Sequence, residues 1–219
     1  MNLSAKEKIG QRIVVGFPGT EVDTELEELI QQYKIGNFIL FKHNIVSAAQ
    51  LKELCNKLQR LALESTGYPA FITIDQEGGM VTRLEEDCVN IPGAMAIAAT
   101  NNVMNAYEAG KITGEQLKTL GVNFNLAPDA DINSNMDNPV IGVRSYGDNP
   151  NKVAEYSVAM MKGLLDGGVL ASAKHFPGHG DTNVDSHLGL PQVNKTLAQL
   201  QECELVPFQA AINAGISAI

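Results

Sequence analysis

Short apolar runs, separated by longer stretches of helical periodicity, recur from one end of this chain to the other. Ile13-Val14-Val15-Gly16-Phe17, Asn37-Phe38-Ile39-Leu40-Phe41, Phe71-Ile72-Thr73-Ile74, Val122-Asn123-Phe124-Asn125-Leu126 and Val169-Leu170-Ala171-Ser172-Ala173 are too short for helices. They show little polar alternation, so each predicts a strand covered on both faces. Between them lie helices: Thr24 to Gln32, with Thr24 and Glu27 at capping-box spacing, and Ser47 to about Glu64, with Leu51, Leu54, Leu58 and Leu61 on one stripe. A third runs from Asn101 to Leu120 and stops at Gly121; a fourth opens at Pro150 and closes at Gly167-Gly168. Thr196 to Ala214 is a last helix that Pro207 breaks or restarts, and Ile216-Ser217-Ala218-Ile219 begins a sixth strand.

Strand–helix alternation of this kind calls for an α/β fold, a parallel sheet covered by helices. An open doubly wound sheet would carry a glycine-rich phosphate turn after its first strand, and Gly16-Phe17-Pro18-Gly19 does not match one. Polar clusters follow strands three, four and five alike, as where the upper loops of a barrel build one site. The expectation is a (β/α)8 TIM-type barrel. About six strands fit into this sequence, against eight in a barrel of roughly 250 residues, so the expected barrel is cut short at its C-terminus.

Composition narrows the class. With 219 residues, 44% of them hydrophobic, the chain can bury a sizeable core, and one domain over 1–219 is expected. A formal charge of −9 argues against nucleic acid as a partner, because phosphate binding needs a basic face. Much of the acidity, such as Glu21, Asp23, Glu25, Glu27 and Glu28, falls on or before one helix and reads as a solvated surface. Cys55, Cys88 and Cys203 share no metal-like spacing and read as buried reduced thiols. The N-terminal residues carry no apolar secretory segment and no later stretch is long enough to span a bilayer, so a cytoplasmic protein without a membrane partner is expected.

The chemistry concentrates after strand five, in Lys174-His175-Phe176-Pro177-Gly178-His179-Gly180-Asp181-Thr182-Asn183-Val184-Asp185-Ser186-His187-Leu188. A structural loop needs turn residues; it does not need three imidazoles beside an ammonium. Lys174 and His175 offer two donors to a neutral polyhydroxylated ligand, and Gly178 and Gly180 permit an excursion that brings Asp185 and His187 over the mouth. Asp185 can accept the imidazole N–H of His187, fix its tautomer and leave the other nitrogen as acid and base. Asp75, in Asp75-Gln76-Glu77-Gly78-Gly79, can accept from adjacent sugar hydroxyls, with Arg83 nearby as a fixed fork. Arg144 lies in a long polar loop after strand four. A divalent metal held by His175, His179, Asp181, Asp185 and His187 is the rival reading, but Lys174 would set a cation beside the ion.

These segments together resemble glycoside hydrolase family 3, in its β-N-acetylglucosaminidase branch. The resemblance is carried by Lys174-His175-Phe176-Pro177-Gly178-His179-Gly180, Asp185-Ser186-His187 and Leu190-Pro191, with Ile74 to Gly79, Phe124 to Pro128, Gly142 to Tyr146 and Pro207-Phe208 in the same order. It implies that Asp75, Arg83, Arg144, Lys174 and His175 bind a non-reducing N-acetylglucosamine (GlcNAc). It also implies that His187, partnered by Asp185, is the general acid/base. The implied activity is a retaining exo-β-N-acetylglucosaminidase acting on GlcNAc-containing saccharides, cell-wall muropeptides or chitooligosaccharides, with no cofactor and no metal. Hydrolysis is the implied outcome, with phosphate conceivable in place of water as acceptor. In this family the nucleophilic aspartate lies beyond the sixth strand, and Asp129, Asp131, Asp137 and Asp181 do not occupy its position. The expectation is therefore a chain nearly inactive alone, with a non-catalytic GlcNAc-binding remnant and a metal-dependent hydrolase as alternatives. Unpaired edges on strands one and six would allow self-association.

Overall fold

The computed structural model describes residues 3–183, 189, 190 and 192–219. Five strands, β1 (Val14–Val15), β2 (Asn37–Leu40), β3 (Phe71–Ile74), β4 (Phe124–Asn125) and β5 (Leu170–Ala171), form one parallel sheet in the order β1-β2-β3-β4-β5. Each strand pairs with its sequence neighbour, so the chain never doubles back. That order is the stave sequence of a barrel, whereas a doubly wound sheet reverses at a switch point. The sixth strand is reduced to one parallel bridge, Ser172 to Ala218, in which Ala218 N–H donates to Ala171 O and Ala173 N–H to Ala218 O, both at 3.2 Å. The apolar runs outlast the ladders, and β1, β4 and β5 are each two residues long.

Eight helices occur among the described residues: α1 (Ala5–Gly10), α2 (Thr24–Tyr33), α3 (Ala48–Thr66), α4 (Ala94–Ala99), α5 (Met104–Leu120), α6 (Pro150–Asp166), α7 (Leu197–Glu202) and α8 (Leu205–Asn213). The leucine stripe of α3 is buried in the same apolar core as Phe38, Leu40, Ile72 and Ile74 of the sheet, which are fully buried. Capping corrects the sequence reading of α2. Asp23, not Thr24, is its N-cap, with Leu26 N–H donating to Asp23 Oδ1 at 2.8 Å. The last helix also divides earlier than expected, at Cys203–Glu204, and Pro207 lies in the first turn of α8, where its missing N–H costs nothing.

α5 and α6 pack through glycine. A Cβ on Gly163 would lie 2.1 Å from Tyr107 O, and one on Gly110 would lie 2.3 Å from Met160 O, so the two backbones touch. All three cysteines are free, but only Cys55 is buried, and burial raises its thiol pKa to about 12; Cys88 and Cys203 are half-buried. Among the described residues, no helix is long and apolar enough to cross a membrane.

Candidate active site

The C-terminal ends of β3, β4 and β5 deliver their polar residues to one place. Asp75 and Glu77 follow β3, Asp129 and Asp131 follow β4, and Lys174 and His175 follow β5. A parallel bridge from Asp129 to Lys174 carries the register of β4 and β5 up to that level. The Lys174–His175 peptide is cis. Arg144 arrives from the long loop before α6, at the end of the 3-10 turn Gly142–Arg144. Ser145 Oγ anchors that loop by donating to Asp131 O at 2.6 Å, and Asn138 Nδ2 ties it to the histidine segment by donating to His179 O at 2.7 Å and Thr182 O at 2.8 Å.

The side chains interlock. Lys174 Nζ lies 2.5 Å from Asp75 Oδ1 and 2.7 Å from Glu77 Oε1. Glu77 also takes both forks of Arg144, from Nε at 3.0 Å and Nη2 at 2.8 Å. Arg144 Nη2 continues to His175 Nε2 at 3.3 Å and Asp129 Oδ2 at 3.6 Å, and His175 Nδ1 lies 2.6 Å from Asp131 Oδ2. Arg83 Nη2 stands 3.7 Å from Asp75 Oδ2, and its backbone N–H is fixed by Gln76 Oε1 at 2.8 Å. An apolar cavity of about 370 Å³, lined by Gly79, Met80, Met95, Ala96 and Val143, adjoins Arg144.

Burial and charge set the proton inventory. Burial works against the Glu77 carboxylate, yet the Arg144 hydrogen bonds and the Lys174 ammonium overcome it and hold its pKa below the ordinary value. Asp129 goes the other way: burial, then the nearby Asp131 and Glu77, raise its pKa well above the ordinary aspartate value, with Arg144 a partial offset. Among the described residues its Oδ2 has no hydrogen-bond partner, while Oδ1 accepts from Asp131 N–H at 2.9 Å. The Arg144 guanidinium stays charged, its pKa raised by Glu77 against the cost of burial.

Thus all five of the sugar-binding candidates, Asp75, Arg83, Arg144, Lys174 and His175, converge. Asp185 and His187, expected as the acid/base pair, lie outside the described residues. Gly178 and Gly180 are both buried: Gly178 has φ +128°, and a Cβ on Gly180 would lie 1.7 Å from Ile132 O, so close approach demands glycine there. Glu77, Asp129 and Asp131 were missed. The only sequence signal for the last two is a pair of carboxylates two apart just beyond a strand.

Asp129, Asp131 and His175 each offer a metal-ligand atom, all within 4.8 Å of one another. The cluster does not suit a cation: Arg144 Nη2 already stands against Asp129 Oδ2, and Asp131 is engaged by His175. The rival metal reading drew on His175, His179, Asp181, Asp185 and His187, of which Asp185 and His187 lie outside the described residues.

Residues 4–219 match the glycosyl hydrolase family 3 N-terminal domain. The chain belongs to glycoside hydrolase family 3. Family 3 relatives share both sequence and fold with it. It is 44% identical over 201 residues to the beta-hexosaminidase A of Pseudoalteromonas piscicida, covering 90% of this chain and 34% of that protein. Its fold matches the family 3 beta-N-acetylglucosaminidase of Paenibacillus sp. with a TM-score of 0.95 at 46% identity, over 98% of this chain and 41% of that one. NagZ of Neisseria gonorrhoeae, in complex with N-trifluoroacetyl-D-glucosamine, matches with a TM-score of 0.86 at 29% identity, over 94% of this chain and 61% of that one. The chain therefore spans between about a third and three fifths of the length of these relatives.

Proposed function

We propose that this chain supplies the sugar-binding and proton-transfer parts of a retaining exo-β-N-acetylglucosaminidase. One observation carries the reading: three strand ends of a barrel-type sheet bring Asp75, Arg83, Arg144, Lys174 and His175 into a single polar cluster. Carboxylates there accept hydroxyl protons, and the guanidinium and ammonium groups donate to sugar oxygens. The names of the family 3 relatives support GlcNAc as the bound sugar. In this proposal His187 protonates the departing glycosidic oxygen and Asp185 holds its ring. The substrates are muropeptide fragments or chitooligosaccharides.

A retaining glycosidase needs an attacking carboxylate as well. Among the described residues of the cluster, Asp75, Glu77 and Asp131 are held in ion pairs or hydrogen bonds, and Asp129 is buried with its neutral form favoured. None of them is assigned as nucleophile, so the 219-residue chain alone is expected to bind GlcNAc without turning over its glycosides. A cytoplasmic site of action belongs to the same proposal and is supported by three unpaired cysteines. Self-association through β1 is part of it too, supported by the half-exposed Val14 on that edge; a single concentration-independent sedimentation boundary of monomer mass would exclude it.

Calorimetric titration with GlcNAc and with glucose, beside a 4-nitrophenyl-GlcNAc assay, tests the core reading. The chain should take up GlcNAc in preference to glucose, and Lys174→Ala should abolish this. Equal uptake of both sugars, or undiminished uptake by Lys174→Ala, would overturn it.

A further inference from the structure

We propose that Asp131 is a positioning residue for the sugar site. It holds His175 as the neutral tautomer with hydrogen on Nδ1, so that Nε2 meets the ligand as a hydrogen-bond acceptor. The consequence for the ligand rests on the sugar-binding reading; the tautomer itself does not.

Two contacts at opposite ends of the ring select the same state. Asp131 has a fully buried side chain, and both its oxygens already face backbone donors: His179 N–H at 2.5 Å on Oδ1 and His175 N–H at 3.1 Å on Oδ2. A carboxylate so placed is an acceptor, and Nδ1, 2.6 Å from Oδ2, must carry the hydrogen. At the far end Arg144 Nη2 stands 3.3 Å from Nε2. A guanidinium has donors only, so Nε2 presents its lone pair. The His175 side chain is one-third exposed, and the ring edge carrying Nε2 borders the Lys174–Glu77–Arg144 cluster.

Lys174 and His175 are therefore unlike in what they ask of a ligand. The ammonium seeks an acceptor, whereas the imidazole seeks a donor. A sugar hydroxyl can be either, but a fluorine or a methyl ether at the position facing His175 cannot donate. The site is thus built to discriminate on a hydroxyl proton, and a polar site of this kind rejects analogues lacking its partner strongly.

Long-range 1H–15N spectra of the 15N-labelled chain, with His175 assigned through His175→Gln, read the tautomer directly. The expected result is hydrogen on Nδ1 and none on Nε2. Asp131→Asn should scramble that state and weaken GlcNAc binding at least about 10-fold, the worth of one charge-assisted hydrogen bond. One of the 3-, 4- and 6-deoxyfluoro analogues of GlcNAc should bind poorly to the parent and lose little further in Asp131→Asn. Hydrogen on Nε2 in the parent, or an Asp131→Asn variant with unchanged tautomer and affinity, would overturn the proposal. Should Asp131→Asn fail to fold, the parent spectrum decides alone. Hydrogen on Nδ1 with no GlcNAc bound would sink the sugar reading and leave the tautomer assignment standing.

Discussion

Glu77 grips Arg144 through both carboxylate oxygens and lends one of them to Lys174 as well, at 2.7 Å. It is the hinge-pin of the cluster, because it joins the residue from the long loop to the residue from the end of β5. With its side chain only 6% exposed, its charge cannot be replaced by water. Glu77→Gln keeps one acceptor and loses the charge, leaving two cations facing each other. The expected loss is about 2–4 kcal/mol of stability, somewhat under the usual cost of stripping a buried ion of its partner, because Asp129 ionises more readily once Glu77 is neutral. Urea melts measure it, and GlcNAc titration should show affinity falling with it. A variant as stable as the parent would mean that Glu77 does not join the two segments.

Glu77 and Asp129 should push stability in opposite directions as pH changes. The folded pKa of Glu77 is lowered, so its contribution is present above its unfolded value and is lost as pH falls through the folded one. The folded pKa of Asp129 is raised, so folding takes up a proton between the ordinary aspartate value, about 4, and the raised one. Across that window stability declines as pH rises, by up to ~1.4 kcal/mol per unit for one proton. Asp129→Asn mimics the protonated acid and should flatten this decline while costing little at the acid end. Urea melts of parent and variant at a series of pH values give the difference; parallel curves would show that Asp129 stays ionised.

The α5–α6 contact separates two reasons for glycine. At Gly163 the obstacle is backbone, Tyr107 O at 2.1 Å, and neither helix can yield without moving the other. Gly163→Ala should therefore cost about 2–3 kcal/mol, as an overpacked core site does. Gly67, which ends α3 with φ +76°, has nothing within 4 Å of where a Cβ would stand. Gly67→Ala should cost only the left-handed backbone penalty, about 1 kcal/mol. Melting curves that rank the two the other way would refute the close-approach account.

The strands were legible because doubly covered strands leave continuous apolar runs; their ladder lengths were not, because pairing depends on the twist of neighbouring strands. α1 escaped notice although Ser4 and Glu7 form a full capping box, and α4 did because Ala94–Ala99 is too short to show a stripe. Lys174 and His175 stood out from the density of polar groups after a buried strand. Asp131 could not, since its role consists of contacts with residues 44 and 48 positions away. The one-residue shift of the α2 cap has the same origin: Asp23 and Thr24 are both capping types, and the spacing alone favoured the wrong one.

Lys195 joins Asp181, at 2.9 Å, to Glu204, whose side chain is 1% exposed, and so ties the end of the histidine segment to the start of α8. Glu204 receives that ammonium on Oε1, and among the described residues its Oε2 has no hydrogen-bond partner. Removing Lys195 strands a buried carboxylate, so Lys195→Met should destabilise the protein by about 3 kcal/mol or more. Neutralising the carboxylate as well should restore much of that: Lys195→Met with Glu204→Gln is expected to be more stable than Lys195→Met alone, a coupling that independent sites would not show. Thermal melts of the four proteins complete the cycle. Additive losses would show that Lys195 and Glu204 do not act as a pair.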